Sequence, residues 1–197
     1  MGTESEESSS IIRNNRGMAQ PVFGFFALLF LLVMMSFILN IGAYKAISDR
    51  LEDALAASGL AACVINIEQY GIDHSIIIDN AEEAYERYKE TLDINLNLKN
   101  GSPKALSFIE GPVRIENFRV YNVRGGMVTE IVVGESGVIS TGNGRLGEFC
   151  APNGQIIENT GIYSEISFPI SGRFGRGIMA RKSKLTAVDT FSPKEGL

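Results

Sequence analysis

The feature that most constrains this chain is an uncharged apolar run near its N-terminus. From Val22 to Ala43 the sequence reads VFGFFALLFLLVMMSFILNIGA, and no charged residue follows before Lys45. These 22 residues, at a helical rise of about 1.5 Å each, extend roughly 33 Å, which is enough to cross the hydrocarbon core of a bilayer. The run therefore predicts one membrane-spanning helix.

This run differs from a secretory signal that is removed. The apolar part of such a signal has about 7–15 residues and ends at a small-residue cleavage site. Here the run is longer, and the Asn-Ile-Gly-Ala-Tyr-Lys that ends it is a poor site. We expect an uncleaved anchor, followed by a water-soluble domain that fills most of the 197 residues.

Composition narrows the classes of function. A net charge of −5 argues against nucleic acid as a partner, because binding to phosphates needs clustered positive charge. His74 is the only histidine, and no constellation of catalytic or metal-ligating residues accompanies it. We expect a protein that is not an enzyme and needs no cofactor. Cys63 and Cys150 are too few for a disulfide scaffold; they could form one disulfide or remain two free thiols.

A few small and polar residues interrupt the apolar run. Ser36 and Asn40 are four residues apart and share one face of a helix, where they could bond a neighbouring helix. The alternative is that Ser36 bonds its own backbone and Asn40 lies at the membrane interface. With the small residues Gly24 and Gly42, they form the predicted surface for helix-helix packing.

The residues that lead into the apolar run resemble the N-terminus of a known family. The segment from Arg13 to Phe23 reads RNNRGMAQPVF. It resembles the start of type IV pilin-like proteins, most closely the TadE-like group of tight-adherence (Flp-type) pilus systems, in which a short basic leader ends in glycine just before the hydrophobic helix. The resemblance implies that a prepilin peptidase cuts between Gly17 and Met18. Many of these proteins carry glutamate where this chain has Val22, so we expect a minor subunit.

The orientation of the anchor rests partly on that resemblance. Two basic residues, Arg13 and Arg16, precede the run, and two, Lys45 and Arg50, follow it, so the positive-inside rule does not decide. We expect the N-terminus in the cytoplasm and the domain outside the cytoplasm or at the cell surface.

The helix is expected to continue beyond the membrane. Residues 45–65 contain no proline and many helix formers. Ile47, Leu51, Ala54 and Leu55 fall on one stripe, which predicts an amphipathic extension to about Ile65. The predicted organisation is a leader at 1–17, a transmembrane helix at 18–44, a helix extension at 45–68 and an α+β domain at 69–197.

The patterns of the last segment predict its elements. Asp79 would cap a second helix from Asn80 to about Leu92. Period-two alternation then predicts strands at about Ile94–Leu98, Ala105–Ile109, Val113–Val123, Met127–Val133, Ser164–Ile170 and Gly177–Val188.

Glycine and proline predict the details of these strands. Gly125-Gly126 suits a two-residue hairpin turn, and a slip in alternation near Glu116-Asn117 indicates a bulge. Residues 134–154 are turn-rich, and Pro169 indicates an edge strand. The predicted fold is α+β, with a long N-terminal helix packed on a small, largely antiparallel sheet and a second helix.

A basic patch stands out in an otherwise acidic chain. It consists of Arg173, Arg176, Arg181, Lys182 and Lys184. The patch could bind anionic lipid, a cell-wall polymer or a neighbouring subunit, or it could be a solvated hairpin.

Together these features predict a membrane-anchored, pilin-like minor subunit of a pilus or secretion assembly. It would act by helix packing and head-domain contacts. Its expected partners are membrane lipid, other pilin-like subunits and the prepilin peptidase, and not nucleic acid. The alternative is a generic signal-anchored binding or sensor module.

Overall fold

The structure is a computed structural model that describes residues 4–64, 68, 70, 71, 76–103, 109–172 and 175–188; for residues 4–19, 171, 172 and 175–177 it describes the backbone only. The chain divides into two compact units, Met1–Ile47 and Ser48–Leu197.

The first helix, α1, spans Glu4–Ala62 without a break. It contains the whole apolar run, as well as the predicted extension beyond Lys45. This confirms the long N-terminal helix. It ends at Ala62 rather than near Ile65, because Cys63 and Val64 already lie outside helical geometry. Part of the extension predicted to residue 68 lies outside the described residues.

In the second unit, α1 has one buried stripe. Leu51, Ala54 and Leu55 begin the stripe, and it continues through Ser58, Gly59 and Ala62. The spacing of three and four residues places all six residues on one helix face. At Gly59 a Cβ atom would lie 2.6 Å from Oγ1 of Thr186, so the helix passes very close to the last strand of the sheet.

The second helix, α2, spans Ala81–Asn95. Asn80, rather than Asp79, is its N-cap: the Asn80 side chain accepts a hydrogen bond from the Glu83 backbone N–H at 3.0 Å. The prediction of a strand at Ile94–Leu98 was wrong. Leu92 and Leu96 are both buried and lie four residues apart, so the helical period also fits this segment and prevails.

A small hairpin follows α2. Strands β1 (Leu98–Lys99) and β2 (Ser102–Pro103) pair antiparallel. Asn97 and Asn100 adopt positive φ angles of 54° and 52°, a conformation that asparagine tolerates better than most residues. These two asparagines therefore end the helix and turn the hairpin.

The main sheet has five strands in the order β5-β4-β3-β6-β7, and every neighbouring pair is antiparallel. The strands are β3 (Arg114–Arg124), β4 (Met127–Gly134), β5 (Gly137–Arg145), β6 (Gly161–Gly172) and β7 (Gly175–Ala187).

Two details of this sheet confirm the sequence patterns. Gly125 and Gly126 have φ angles of 56° and 79° in the β3–β4 turn, which is the conformation that a type I′ turn requires. The register between β3 and β6 shifts between Ile115 and Asn117, where the bulge was predicted.

Three other predictions about this part of the chain were not confirmed in this way. Residues 137–145 form β5, although this region was predicted as turns. Strand β6 lies between β3 and β7, so the edge position inferred from Pro169 was wrong. The Pro169 carbonyl accepts a hydrogen bond from Glu110 N, and Glu110 precedes the first residue of β3. Pro169 therefore lies beyond the ladder between β3 and β6, and its missing N–H interrupts no hydrogen bond to β3. The predicted strand Ala105–Ile109 falls mostly on residues outside the description, apart from Ile109, which bridges Ile170.

The two faces of the sheet have different coverings. On one face, called the helix face, Phe118 of β3 packs against Tyr85 and Tyr88 of α2, with ring centroids 5.3 and 5.2 Å apart. The Tyr88 hydroxyl donates a hydrogen bond to the buried Ser164 hydroxyl at 2.9 Å. The helix face therefore holds the main core of the domain.

On the opposite face, called the loop face, a second apolar cluster forms. Tyr121, Val128 and Tyr163 pack with Ala151 and Ile157 of the segment between β5 and β6. Phe149 lies so close over Gly144 that a Cβ atom there would overlap its ring. The segment between β5 and β6, part of which was predicted to be turns, therefore covers a second small core.

Two polar side chains hold the segment that leads into α2. The Asn122 amide accepts from Ile78 N at 2.8 Å and donates to the Ile78 carbonyl at 3.0 Å. The Thr160 hydroxyl donates to the Ile76 carbonyl at 2.7 Å and accepts from Val123 N at 2.9 Å. These bonds fix residues 76–78 alongside the sheet without making them a strand.

Candidate functional site

The most exposed apolar surface belongs to the first half of α1. Large apolar side chains from Val22 to Tyr44 are exposed, including Phe23 at 77% and Leu31 at 65%. Among the described residues, one helix is long and apolar enough to cross a membrane, with a mean hydropathy of 2.8 in its best window. Soluble monomers rarely expose a continuous apolar surface of this extent. The helix is consistent with a single membrane span.

The predicted packing residues lie on this exposed helix. The Asn40 side-chain amide donates to the Ser36 backbone carbonyl at 2.8 Å, so part of its hydrogen-bonding capacity is used within its own helix. A Cβ added at Gly24 or Gly42 would meet nothing within 4 Å. In the single chain these positions are uncovered, and a partner helix there stays a prediction.

The predicted cleavage site lies near the start of α1. Gly17 and Met18 both have helical backbone. The Met18 side chain lies outside the described part of the chain. A peptidase needs its substrate backbone extended, so cleavage would require this part of the helix to open. Processing stays a prediction.

The structure divides the basic patch between the two faces of the sheet. Lys182 and Lys184 lie on the helix face, where both form salt bridges with Glu52 of α1. Lys184 Nζ lies 2.6 Å from Glu52 Oε1, and Lys182 Nζ lies 3.4 Å from Glu52 Oε2. Arg181, on the loop face, is 70% exposed and lies 3.8 Å from Glu165. The side chains of Arg173 and Arg176 fall outside the description.

The two lysines change the electrostatics of α1. The hydrogen bond from Lys184, followed by that from Lys182, lowers the pKa of Glu52. Lys182 also donates to the Ser48 hydroxyl at 3.1 Å. These two lysines thus attach the part of α1 that belongs to the second unit to β7. The sequence alone did not indicate this structural role for the basic patch.

The two cysteines are free thiols. Cys150 is exposed and Cys63 is largely covered. Burial raises the pKa of the Cys63 thiol to about 12, so it stays protonated and unreactive at neutral pH. Of the two alternatives that the sequence left open, the structure has the free thiols.

Hydrogen bonds join a polar cluster on the loop face. Glu130 Oε1 accepts from Arg119 Nη1 at 2.8 Å and from the Tyr121 hydroxyl at 2.9 Å. Arg119 Nε also donates to Asn117 Oδ1 at 3.0 Å. Burial, and then the neighbouring Glu130 carboxylate, raises the pKa of Tyr121. A neutral tyrosine paired in this way is suited to holding strands in place rather than to transferring protons.

An acidic cleft lies where α2 meets the β4–β5 turn. It encloses about 290 Å³ and is lined by Glu82, Tyr85, Glu86, Val133, Gly134, Glu135, Ser136 and Gly137. Burial, and then the charges of Glu135 and Glu86, raises the pKa of Tyr85. None of the lining residues is basic. Sequence reasoning missed this cleft, because its two halves are separated by about 50 residues and neither half carries a motif.

Metal chemistry finds no support among the described residues. They contain no group of three or more histidine, cysteine, aspartate or glutamate residues that could hold a metal ion. His74 lies outside the description.

Comparison with known proteins gives no match: no protein-family model, no curated protein and no solved structure matches this chain. The fold and the exposed helix define an α+β protein with one segment suited to a membrane. Any narrower assignment rests on the chain's own residues.

Proposed function

We propose that this chain is a membrane-anchored, pilin-like minor subunit of a pilus or secretion assembly, acting by helix packing and head-domain contacts without catalysis. One observation carries the proposal. A single helix, α1, contains both the exposed apolar segment and, from Leu51 to Ala62, a stripe buried in the second unit. Pilin-like proteins are built in this way, with the outer half of the anchor helix forming part of the head domain.

The absence of a flexible linker supports an assembly role over a tethered one. Enzymes and receptors on a membrane tether commonly have a Gly/Ser/Pro-rich connection that lets the domain move. Between Lys45 and Ala62 the chain is helical and contains no proline and a single glycine, Gly59, which lies at a close contact with β7. The residues between Leu51 and Ala62 therefore serve packing rather than flexibility.

In this proposal residues 1–17 form a cytoplasmic leader, residues 18–44 span the membrane and the domain lies outside the cytoplasm. The partners are membrane lipid, other pilin-like subunits that meet α1, and a prepilin peptidase. The basic leader and the glycine before the apolar run support the last of these partners.

Intact-mass measurement of the membrane-extracted protein tests the processing step. The protein is expressed with and without a prepilin peptidase of a tight-adherence system. We expect the peptidase to remove residues 1–17. Gly17→Leu should block the removal, whereas the control Gly2→Leu should not, because residue 2 lies far from the cut. A full-length wild-type N-terminus in the presence of the active peptidase would contradict this step.

A second experiment tests assembly through the helix. Asn40→Val removes the polar amide from the apolar segment, and Leu39→Val changes a neighbouring lipid-exposed residue as a control. We expect Asn40→Val to reduce co-purification of partner membrane subunits from cross-linked membranes, and Leu39→Val to leave it unchanged. Equal recovery in both variants would count against helix packing at Asn40.

The second candidate is a signal-anchored binding or sensor module. The acidic cleft favours it, because a concave site with three glutamates could receive a cationic ligand. Val22, at a position where many pilin-like proteins have glutamate, also favours it. This candidate would be preferred if the leader stays attached and the Asn40→Val variant keeps all its partners.

A further inference from the structure

The two edges of the five-stranded sheet are differently protected. Strand β7 carries three cations within four residues, Arg181, Lys182 and Lys184. Strand β5 reads GVISTGNGR and has no charged residue before Arg145, its last. Exposed edge strands are normally guarded by lysine, proline or a bulge, since their free backbone groups can pair with another strand. In β5 the one bulge lies at its start, beside Val132 and Val133.

We propose that β5 pairs antiparallel with β5 of a second copy of this chain, about a two-fold axis near Thr141. The pairing joins the two five-stranded sheets into one continuous sheet. It rests on the fold of the second unit alone and does not depend on the proposed membrane function.

The hydrogen-bonding pattern of β5 supplies the free groups that such pairing needs. Leu146 N bonds the Gly126 carbonyl at 2.9 Å. In an antiparallel ladder the bonded pairs alternate, so Gly144 and Gly142 also direct their N–H and C=O groups toward β4. Thr141 and Asn143 therefore direct theirs away from β4, toward the open edge. A two-fold axis at Thr141 pairs this residue with itself and Asn143 with residue 139 of the second copy.

Charge favours a second copy over an unrelated strand. At the start of β5 lies the acidic cleft with Glu82, Glu86 and Glu135. At the end of β5 lies Arg145, which is exposed and has no salt bridge among the described residues. Antiparallel pairing places the end of one strand beside the start of the other. Each arginine would therefore meet the acidic cleft of the second copy.

The faces of the sheet also agree with this arrangement. Thr141 pairs with Ile131, and Ile131 pairs with Val120, which lies on the helix face with Phe118. Because side chains alternate along a strand, Arg145 lies on the same face as Thr141. Glu82 and Glu86 belong to α2, which covers that face. A two-fold axis perpendicular to the sheet keeps the helix faces together, so the opposite charges meet on one side.

Exposed apolar side chains lie at both ends of β5. Val138 and Ile139 are 49% and 66% exposed at its start, and Leu146 is 39% exposed just after its end. The two-fold axis brings the start of one strand next to the end of the other. Val138 and Ile139 of each copy would therefore lie beside the second copy.

Thiol cross-linking of the full-length protein in detergent tests the pairing. In a Cys150→Ser background, Thr141→Cys places one thiol of each copy beside the axis, where directly opposed Cα atoms of a bonded pair are about 5.5 Å apart, within reach of a short bifunctional thiol cross-linker in place of a direct disulfide. Met179→Cys on β7 is the control, since it is also exposed but lies on the other edge. We expect about tenfold more cross-linked homodimer from Thr141→Cys than from the control. Equal yields, or an adduct with a different protein, would overturn the proposal.

Charge reversal tests the same pairing without a covalent bond. Arg145→Glu should raise the dimer dissociation constant about tenfold, because the two-fold axis repeats the repulsion twice. Adding Glu135→Arg should restore association. Arg87→Glu on the exposed side of α2 is a control of the same charge change. Sedimentation of the full chain in detergent compares the variants, which share the same anchor, so association through the anchor contributes equally to each. If Arg145→Glu behaves like Arg87→Glu, the proposal fails.

Discussion

Replacing Asn122 with alanine tests how the segment before α2 is attached to the sheet. The Asn122 amide bonds both the N–H and the carbonyl of Ile78, at 2.8 and 3.0 Å, and so acts as a substitute for a neighbouring strand. The Ile78 side chain is buried, so water has little access to the backbone groups that the substitution would leave without partners. The loss should therefore exceed that of an ordinary surface hydrogen bond.

The magnitude follows from the two bonds. Each intramolecular hydrogen bond contributes about 0.5–1.5 kcal/mol, and a backbone group left partly buried and unpaired adds a further cost, so we expect a loss of about 2–3 kcal/mol for Asn122→Ala. For a chain of this size that loss lowers the midpoint of thermal unfolding by about 4–12 °C. Hydrogen exchange at the Ile78 amide should become faster as well.

The assay is thermal unfolding followed by circular dichroism on the full chain in detergent, with hydrogen exchange by mass spectrometry. Asn153→Ala is a matched control, because Asn153 also makes two hydrogen bonds, both to Gln155 and both exposed. The control should change stability by less than about 0.5 kcal/mol. The reasoning is refuted if the two variants unfold together, or if the Ile78 amide exchanges at its wild-type rate in Asn122→Ala.

Three further predictions concern the packing of the second unit. Gly59→Leu should lower stability by about 1–3 kcal/mol by overpacking against Thr186, whereas Ala61→Leu, at an exposed position of the same helical turn, should not. Equal midpoints of the two variants in thermal unfolding would contradict this. Tyr88→Phe should cost about 1–2 kcal/mol in the same assay, because it leaves a buried serine hydroxyl without its donor, and an unchanged midpoint would show that the bond is neutral. A chain that begins at Ser48 should keep cooperative unfolding, and one that begins at Cys63 should lose it, because the shorter chain lacks the buried stripe of α1. Cooperative unfolding of the shorter chain would contradict the assignment of that stripe to the core.

Local patterns in the sequence predicted the elements whose structure is set locally. The Gly125-Gly126 turn follows from the φ angles that only glycine adopts easily, and the bulge near Asn117 follows from a slip in alternation. Strand β5 was missed because glycines replace the apolar residues that mark a strand. Its structure comes from pairing with β4, and such pairing outweighs the weak preferences of its own residues.

The acidic cleft and the polar attachments could not be predicted from spacing. The bond between Asn122 and Ile78 joins residues 44 positions apart, and that between Thr160 and Ile76 joins residues 84 positions apart. Any of several asparagines or threonines in the sequence could have made these contacts. Their choice depends on the sheet register, which is fixed only when the whole core packs.

The buried stripe of α1 illustrates a different way in which a helix can be specified. Besides Leu51 and Leu55, it consists of small residues, and at Gly59 the helix has no room for even a methyl group beside Thr186. Little apolar area is buried by such residues, so area alone would rank this stripe below α2, which inserts two tyrosines. Small residues instead allow a close approach, and dispersion between well-packed atoms then depends on shape. For this reason, substitutions that enlarge the small residues of the α1 stripe should be harmful, whereas in α2 the harmful substitutions should be those that trim its two tyrosines.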